Sequence, residues 1–219
     1  MNDARKDLLN QGVEAALDLG KTIDWRDITL SAIAERAGLS LKDFHGVADK
    51  AKISDAVEAW LDEAMSEGST SDDETPRTRL FDVIMMRFDR MEEHRNALVS
   101  LQEWRQTQPA RLLNLLSARQ ATASWALACS GLDGAGDLPT PLRTTAVAWA
   151  VAQAEIAWRK EDSADMSRTM AKLDGELRKM EERAGWIKGR FGKRKPDSDS
   201  GADIQTSAAD EPTTEHQPS

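Results

Sequence analysis

Cysteine is nearly absent from this chain: Cys129 stands alone among 219 residues, so an intrachain disulfide framework is excluded. Its setting, Trp125-Ala126-Leu127-Ala128-Cys129, suits a buried, inert thiol and not a nucleophile. Long apolar runs are missing too. No stretch approaches the ~18 residues of a membrane span, and the opening Met-Asn-Asp-Ala-Arg-Lys-Asp leads into an amphipathic helix instead of a signal-peptide core. A cytoplasmic bacterial protein fits these absences. Histidines number three. His45 and His94 have no partners at metal-ligand spacing, and His216 lies in a polar tail without a ligand set. No Gly-rich loop precedes a lysine, no HExxH occurs, and no helix carries paired carboxylates on an apolar face, so metal, cofactor and catalysis are not expected.

What the chain does have is helix-forming sequence. Ala, Leu, Arg, Glu and Met are abundant, and no window shows sustained β-alternation flanked by turn residues. The expectation is an all-α protein of one or two domains, long enough to bury a substantial core without staples. Leu8, Leu9, Val13, Ala16 and Leu17 share one face of a predicted helix from Ala4 to Leu19, with Gly20 as its stop. Trp25 and Ile28 anchor the connection that follows. Residues 29 to 50 then read as two short helices joined by a glycine turn, a helix-turn-helix. Ile33, Ala34 and Ala37 face inward, Gly38 tolerates positive φ, and Ser40 with Asp43 has capping-box spacing for a second helix predicted over Ser40 to Val47. In a DNA-binding unit of this kind that helix enters the major groove, and Leu41, Lys42 and His45 are its outward side chains. Asp49 can cap a further helix whose buried stripe is Ile53, Val57, Trp60, Leu61 and Met65.

The pattern Leu8-Leu9…Ala15-Ala16-Leu17-Asp18-Leu19-Gly20…Ile28-Thr29…Ile33-Ala34-Glu35-Arg36-Ala37-Gly38-Leu39-Ser40…Phe44-His45…Asp49-Lys50…Ile53 resembles the N-terminal domain of TetR-family transcriptional regulators over roughly the first 65 residues. The resemblance implies a phosphate contact from Thr29, a reading face starting at Ser40 and formed by Leu41, Lys42 and His45, and a second phosphate contact from Lys50. It also implies a homodimer on a double-stranded DNA operator. The sequence departs from the family pattern at Gly46-Val47-Ala48, which is one residue short and lacks an aromatic near Val47. Charge adds a constraint. From Met1 to Glu67 eight Lys or Arg face fourteen Asp or Glu, so the few cations must gather on one face to meet phosphates, and Lys42, Lys50 and Lys52 are the candidate cluster.

The polar run Ser69 to Glu74, ending at Thr75-Pro76, marks a boundary. The predicted organisation is a DNA-binding unit over 1–67, a linker over 68–75, a helical ligand-binding and dimerisation domain over 76–190, and a disordered tail over 196–219. Five helices are expected in the second domain, at about 76–90, 92–106, 109–130, 140–159 and 164–188. The fourth is so apolar, from Ala146 to Trp158, that it is either central or covered by another subunit. In TetR-like proteins the last two helices form a four-helix dimer interface, matched here by Ala146 to Trp158 and Met166 to Leu177. Met85, Met86, Phe88, Trp104, Trp125, Trp149 and Trp158 either line a cavity for a small apolar ligand or simply pack as core. Glu155 and Gln153 are either polar anchors or solvated neighbours, while Glu92, Glu93 and His94 read as a solvated helix start. Two segments, 75–89 and 149–174, look like the C-terminal half of TetR-like proteins, similar to that of the TetR-fold lipid-binding accessory protein of ubiquinone biosynthesis. That resemblance implies an alternative, a lipid-handling protein that no longer reads DNA. Trp186, Ile187 and Phe191 interleaved with Lys188, Arg190, Lys193, Arg194 and Lys195 can meet an anionic membrane surface over 186–195, touch DNA phosphates, or form a solvated helix end.

Overall fold

Eight α-helices and three single turns of 3-10 helix make up the regular structure of the described residues, with no strand among them. The computed structural model describes residues 3–68, 73–108, 110–134 and 138–191, without the side chains of 110–113 and 184–191. The helices are α1 (Asp3–Leu19), α2 (Leu30–Arg36), α3 (Lys50–Glu63), α4 (Pro76–Glu93), α5 (Arg95–Gln106), α6 (Ala110–Cys129), α7 (Thr140–Trp158) and α8 (Ser167–Phe191). Short polar side chains set several starts. The Thr29 hydroxyl accepts from Ala32 N at 3.2 Å, an Asp49 carboxylate oxygen accepts from Lys52 N at 2.7 Å, and the Thr75 hydroxyl accepts from Thr78 N at 3.2 Å, with Pro76 in the first turn of α4.

The expected stripe residues are where the core sits. Val13, Ala16 and Leu17 of α1, Ile33 and Ala34 of α2, and Ile53, Val57 and Leu61 of α3 are buried together with Trp25, Ile28 and Phe44. The same core continues without a break through Leu80, Ile84 and Phe88 of α4, Leu101 of α5, Val147 and Val151 of α7, and Leu173 and Leu177 of α8. α3 is the shared element: it packs against α1 on one side and against α4 and α6 on the other.

One predicted element is not a helix of the expected kind. Ser40 to Val47 forms a single 3-10 turn, Leu41–Phe44, and no α-helix. Gly46 lies in the left-handed region at φ +71°, and Ala48 N closes back onto Phe44 O at 3.1 Å, so the chain leaves the turn before a second one can form. The run Glu92-Glu93-His94 is also not a purely solvated start. Glu92 accepts from Trp158 Nε1 at 2.8 Å and from Arg95, and His94 stands edge-on to Trp60 with ring centroids 5.3 Å apart. The expected tail over 196–219 and residues 192–195 of the basic segment lie outside the described residues, as do the side chains of Trp186 and Ile187.

Candidate nucleic-acid interface

α2 and the 3-10 turn after it are held in place by two features of the backbone and one side chain. Gly38 at φ +67° reverses the chain, with Leu39 N donating to Ala34 O at 2.9 Å. Ser40 N then donates to a carboxylate oxygen of Asp43 at 2.8 Å, the reciprocal half of the predicted capping box. Phe44 is the anchor: it is buried, and its ring edge lies where a Cβ on Gly12 of α1 would come within 3.0 Å. The absent side chain at Gly12 is therefore the notch that seats the turn.

Anchoring Phe44 inward turns its neighbours outward. Leu41 is 51% exposed, and Ser40, Lys42 and His45 are exposed. These four sequence-predicted residues share one protruding turn. The other three predicted contacts, Thr29, Lys50 and Lys52, fare differently. Thr29 is exposed, but its hydroxyl is engaged by Ala32 N and lies 3.0 Å from Ser31 Oγ. Lys52 is exposed and bonds Val47 O at 3.2 Å, beside the turn. Lys50 is half-buried: its ammonium donates to Arg26 O at 3.0 Å and sits 5.5 Å above the Trp104 ring. Burial lowers its pKa, opposed by Asp27 and Asp24. One residue not foreseen joins the rim. Arg5 of α1 donates to Gly46 O at 3.0 Å, which places an exposed guanidinium at the end of the turn. Forty-one residues separate the two in sequence, so no spacing rule reaches it.

Five of the seven candidate cavity residues, Met85, Phe88, Trp104, Trp125 and Trp149, do not converge. Phe88 is core; Met85 is half-buried; Trp104 faces Trp25 and Lys50; Trp125 donates its indole N–H to Asp62 O at 3.0 Å; Trp149 is 58% exposed on the outer side of α7. The space among α3, α4, α5, α6 and α7 holds a buried charge network instead. Arg87, 1% exposed, donates to Glu58 at 2.6 Å, Asp62 at 2.7 Å and Glu155 at 2.9 Å. Arg105 pairs with Glu58 at 2.5 Å and bonds Ser54 O, Arg119 pairs with Glu155, and Thr122 donates to Asp62 at 2.7 Å. Three guanidiniums thus balance three carboxylates. Burial would raise the Glu58 carboxyl, but Arg105, Arg87 and Arg119 outweigh it and hold it at about 2. Asp62 is pushed up by burial, against Arg87 and Thr122. The void left beside this network measures about 40 Å³, room for little more than water. Sequence reading named Glu155 as an open choice between anchor and solvated neighbour; it is an anchor, buried against two arginines.

No protein-family model matches the chain, and no curated protein matches it in sequence. Solved structures do match. A TetR transcriptional regulator from Nitrosomonas europaea ATCC 19718 superposes with a TM-score of 0.64 at 17% identity, over 82% of this chain and 98% of that one. The chain has the TetR-regulator fold. A TetR transcriptional regulator from Rhodococcus sp. RHA1 gives a TM-score of 0.58 at 17% identity, over 81% and 97%. The TetR-like fold extends over both the helix-turn-helix segment and the helices behind it, in agreement with the resemblance carried by residues 8 to 53 and with the all-α expectation. No described helix is long and apolar enough to cross a membrane, and no described group of His, Cys, Asp and Glu is placed to hold a metal ion.

Proposed function

We propose that this protein is a dimeric, DNA-binding transcriptional regulator whose operator contacts come from the turn around Leu41 to His45. The observation that carries the reading is the anchored, outward-facing turn: Phe44 is buried in the Gly12 notch while Leu41, Lys42 and His45 project to solvent with Lys52 and Arg5 beside them. Residues 1–67 act as the DNA-binding unit, 68–75 as linker, and 76–190 as the ligand and dimer domain. A homodimer is supported by α7. Its inner side buries Val147, Val151, Ala154 and Trp158, yet Leu142, Trp149 and Ile156 remain 57%, 58% and 42% exposed at seven-residue intervals along one outer stripe. Pairing two copies through α7 and α8 covers that stripe and sets two reading turns about one helical turn of DNA apart, or a multiple. A small apolar ligand in the second domain then controls release by favouring one spacing of the turns over another.

Selection of bound fragments from random duplex at physiological salt tests this. Enrichment of a twofold-symmetric motif supports the regulator; recovery of unenriched duplex, or of none, removes it. A second reading has one specific observation in its favour. The ammonium of Lys50 is committed to Arg26 O and Trp104, and the reading element is one turn long, as suits a TetR-fold lipid-binding protein that has lost operator reading. Native mass spectrometry separates the two, since a copurifying phospholipid or isoprenoid without salt-sensitive DNA retention favours the lipid carrier.

A further inference from the structure

Away from the charge network, the start of α4, the connection between α6 and α7, the first turns of α7 and the middle of α8 frame a cavity of about 180 Å³. Leu80, Leu132, Leu138, Ala146, Leu177 and Met180 line it with carbon. Leu80 and Leu177 are buried, while the other four keep part of their apolar surface uncovered. Packed interiors hold few voids larger than a water molecule; the one beside Arg87 measures about 40 Å³, and this one is several times that. The charged groups at its edge are committed to one another or to the backbone. Arg77 donates to Asp174 at 3.1 Å and lies 3.5 Å from Glu181. Arg143 donates to Leu132 O at 2.7 Å, Gly134 O at 2.6 Å and Thr140 Oγ1 at 3.3 Å, and burial shuts off its Nε. Two guanidiniums against two carboxylates leave no net charge for a ligand to answer.

We propose that this cavity binds an uncharged, apolar small molecule, a single ring or short chain of about six to eight carbons that makes no hydrogen bond to the protein. Size sets the body: a carbon-lined cavity of ~150 Å³ takes up benzene, and this one is slightly larger. The lining sets the polarity. A carboxylate or an ammonium would lose its water here against carbon and charges already balanced, which penalises either sign. Covering the ligand's own surface and the uncovered parts of Leu132, Leu138, Ala146 and Met180 supplies the affinity. None of the seven aromatic and methionine candidates singled out in the sequence lines the cavity, because its residues are drawn from four separate segments. Its place on α4 bears on control. Leu80 at the cavity and Arg87 in the charge network are seven residues apart on that helix, about 10 Å along its axis, and Arg87 donates to Glu58 and Asp62 of α3. A ligand that shifts the start of α4 therefore acts on α3, a helix of the DNA-binding unit. The proposal deepens the ligand part of the regulator reading and rests on it for its purpose. Binding is a property of the chain without DNA, however, so loss of one claim is distinguishable from loss of the other.

The test is a methyl-NMR titration of the full chain, free of DNA, with toluene and cyclohexane, and with benzoate and benzylamine as charged counterparts of similar shape. The expected result is saturable binding of at least one hydrocarbon with a Kd of about 1 mM or tighter, and about tenfold or more tighter than either charged compound. Nuclear Overhauser contacts from probe protons to the methyls of Leu80, Leu177 and Met180 locate the site without any variant. Ala146→Phe fills the cavity and should weaken the hydrocarbon by about tenfold or more. Failure of both hydrocarbons to saturate, equal or tighter binding of a charged compound, contacts to other methyls, or undiminished binding by a folded Ala146→Phe chain would each overturn the proposal. Binding of a hydrocarbon with no operator enrichment would retain the site and discard the regulator; enrichment without binding would do the reverse.

Discussion

Replacing Arg87 by methionine is expected to be the most damaging single change in the interior. Methionine keeps most of the side-chain volume and can still lie beside Met91, whose sulfur is 3.0 Å from the Arg87 guanidinium. What it removes is the cation facing three carboxylates. Glu58 retains Arg105 and Glu155 retains Arg119, but Asp62 is left with Thr122 as its remaining side-chain partner. Breaking a buried pair by deleting one partner costs about 3–5 kcal/mol. With a urea dependence of ~2 kcal/mol per molar, the midpoint should fall by about 2 M. The sign with pH is fixed as well. Glu58 is held at about 2 in the folded chain, below its ordinary 4.5, so its contribution is fully present above pH ~4.5 and fades as pH falls toward 2. Asp62 is already raised by burial, so its ionised form costs stability, and that cost is relieved as pH falls through its raised value. Removing Arg87 drives both carboxyls upward. The deficit of Arg87→Met should therefore be greatest at neutral pH and narrow below about pH 4.5, where the variant's orphaned carboxyls take up protons. Urea unfolding at pH 7 and pH 4, with Arg87→Lys as a partial rescue, measures this. A loss under about 1 kcal/mol at pH 7, or one of equal size at both pH values, refutes the network as described.

Further expectations concern the surface. Lys42→Ala should weaken operator binding across all sequences and flatten the salt slope by about 0.9 per protomer, whereas Lys50→Met should leave the slope unchanged because its ammonium is already engaged by Arg26 O and the Trp104 ring; filter binding at several salt concentrations decides both. Trp149→Glu places a charge on the exposed stripe of α7 and should shift the chain from dimer to monomer in sedimentation velocity with its helix content unchanged by circular dichroism. Gly12→Val forces its side chain against Phe44 and Ile53 and should cost about 1–3 kcal/mol, with a measurable loss of sequence preference as the turn shifts. Burial raises the Cys129 thiol pKa, so its alkylation at pH 7.5 should be slower than that of free cysteine and should accelerate when the chain is unfolded.

The helices of this protein are legible in its sequence because their signals are local. The expected bounds at 76–90, 92–106 and 140–159 fall within three residues of Pro76–Glu93, Arg95–Gln106 and Thr140–Trp158, since Thr75-Pro76 and Pro139-Thr140-Pro141 act within one turn. The stripes on α1 and α3 were readable for the same reason, and Trp25 and Ile28 anchor as expected. The reading element was misjudged where two local signals conflict. Ser40 and Asp43 do start a helix, but Gly46 at φ +71° ends it within a turn. The interior where α3 meets α4, α5, α6 and α7 is not legible because its partners are distant: Arg87 meets Glu155 across 68 residues and Trp125 meets Asp62 across 63. The aromatic and methionine side chains there fit a cavity lining and a packed core equally, and nothing in the sequence singles out Glu58, Asp62, Arg105 and Arg119. Nothing in the spacing of a charged residue says whether a counter-charge from another helix will let it be buried.

A 3-10 turn rises about 2 Å per residue, so Leu41–Phe44 measures roughly 8 Å from end to end. That is the height of about two stacked base pairs. On the proposed regulator reading, a probe so short would have few letters within its grasp, and each protomer's vocabulary would be correspondingly small. Under that reading, discrimination among genomic addresses would fall to the distance between the twin probes and to how readily the intervening duplex bends to suit them, giving a forgiving consensus and a wide, graded set of targets instead of one privileged locus.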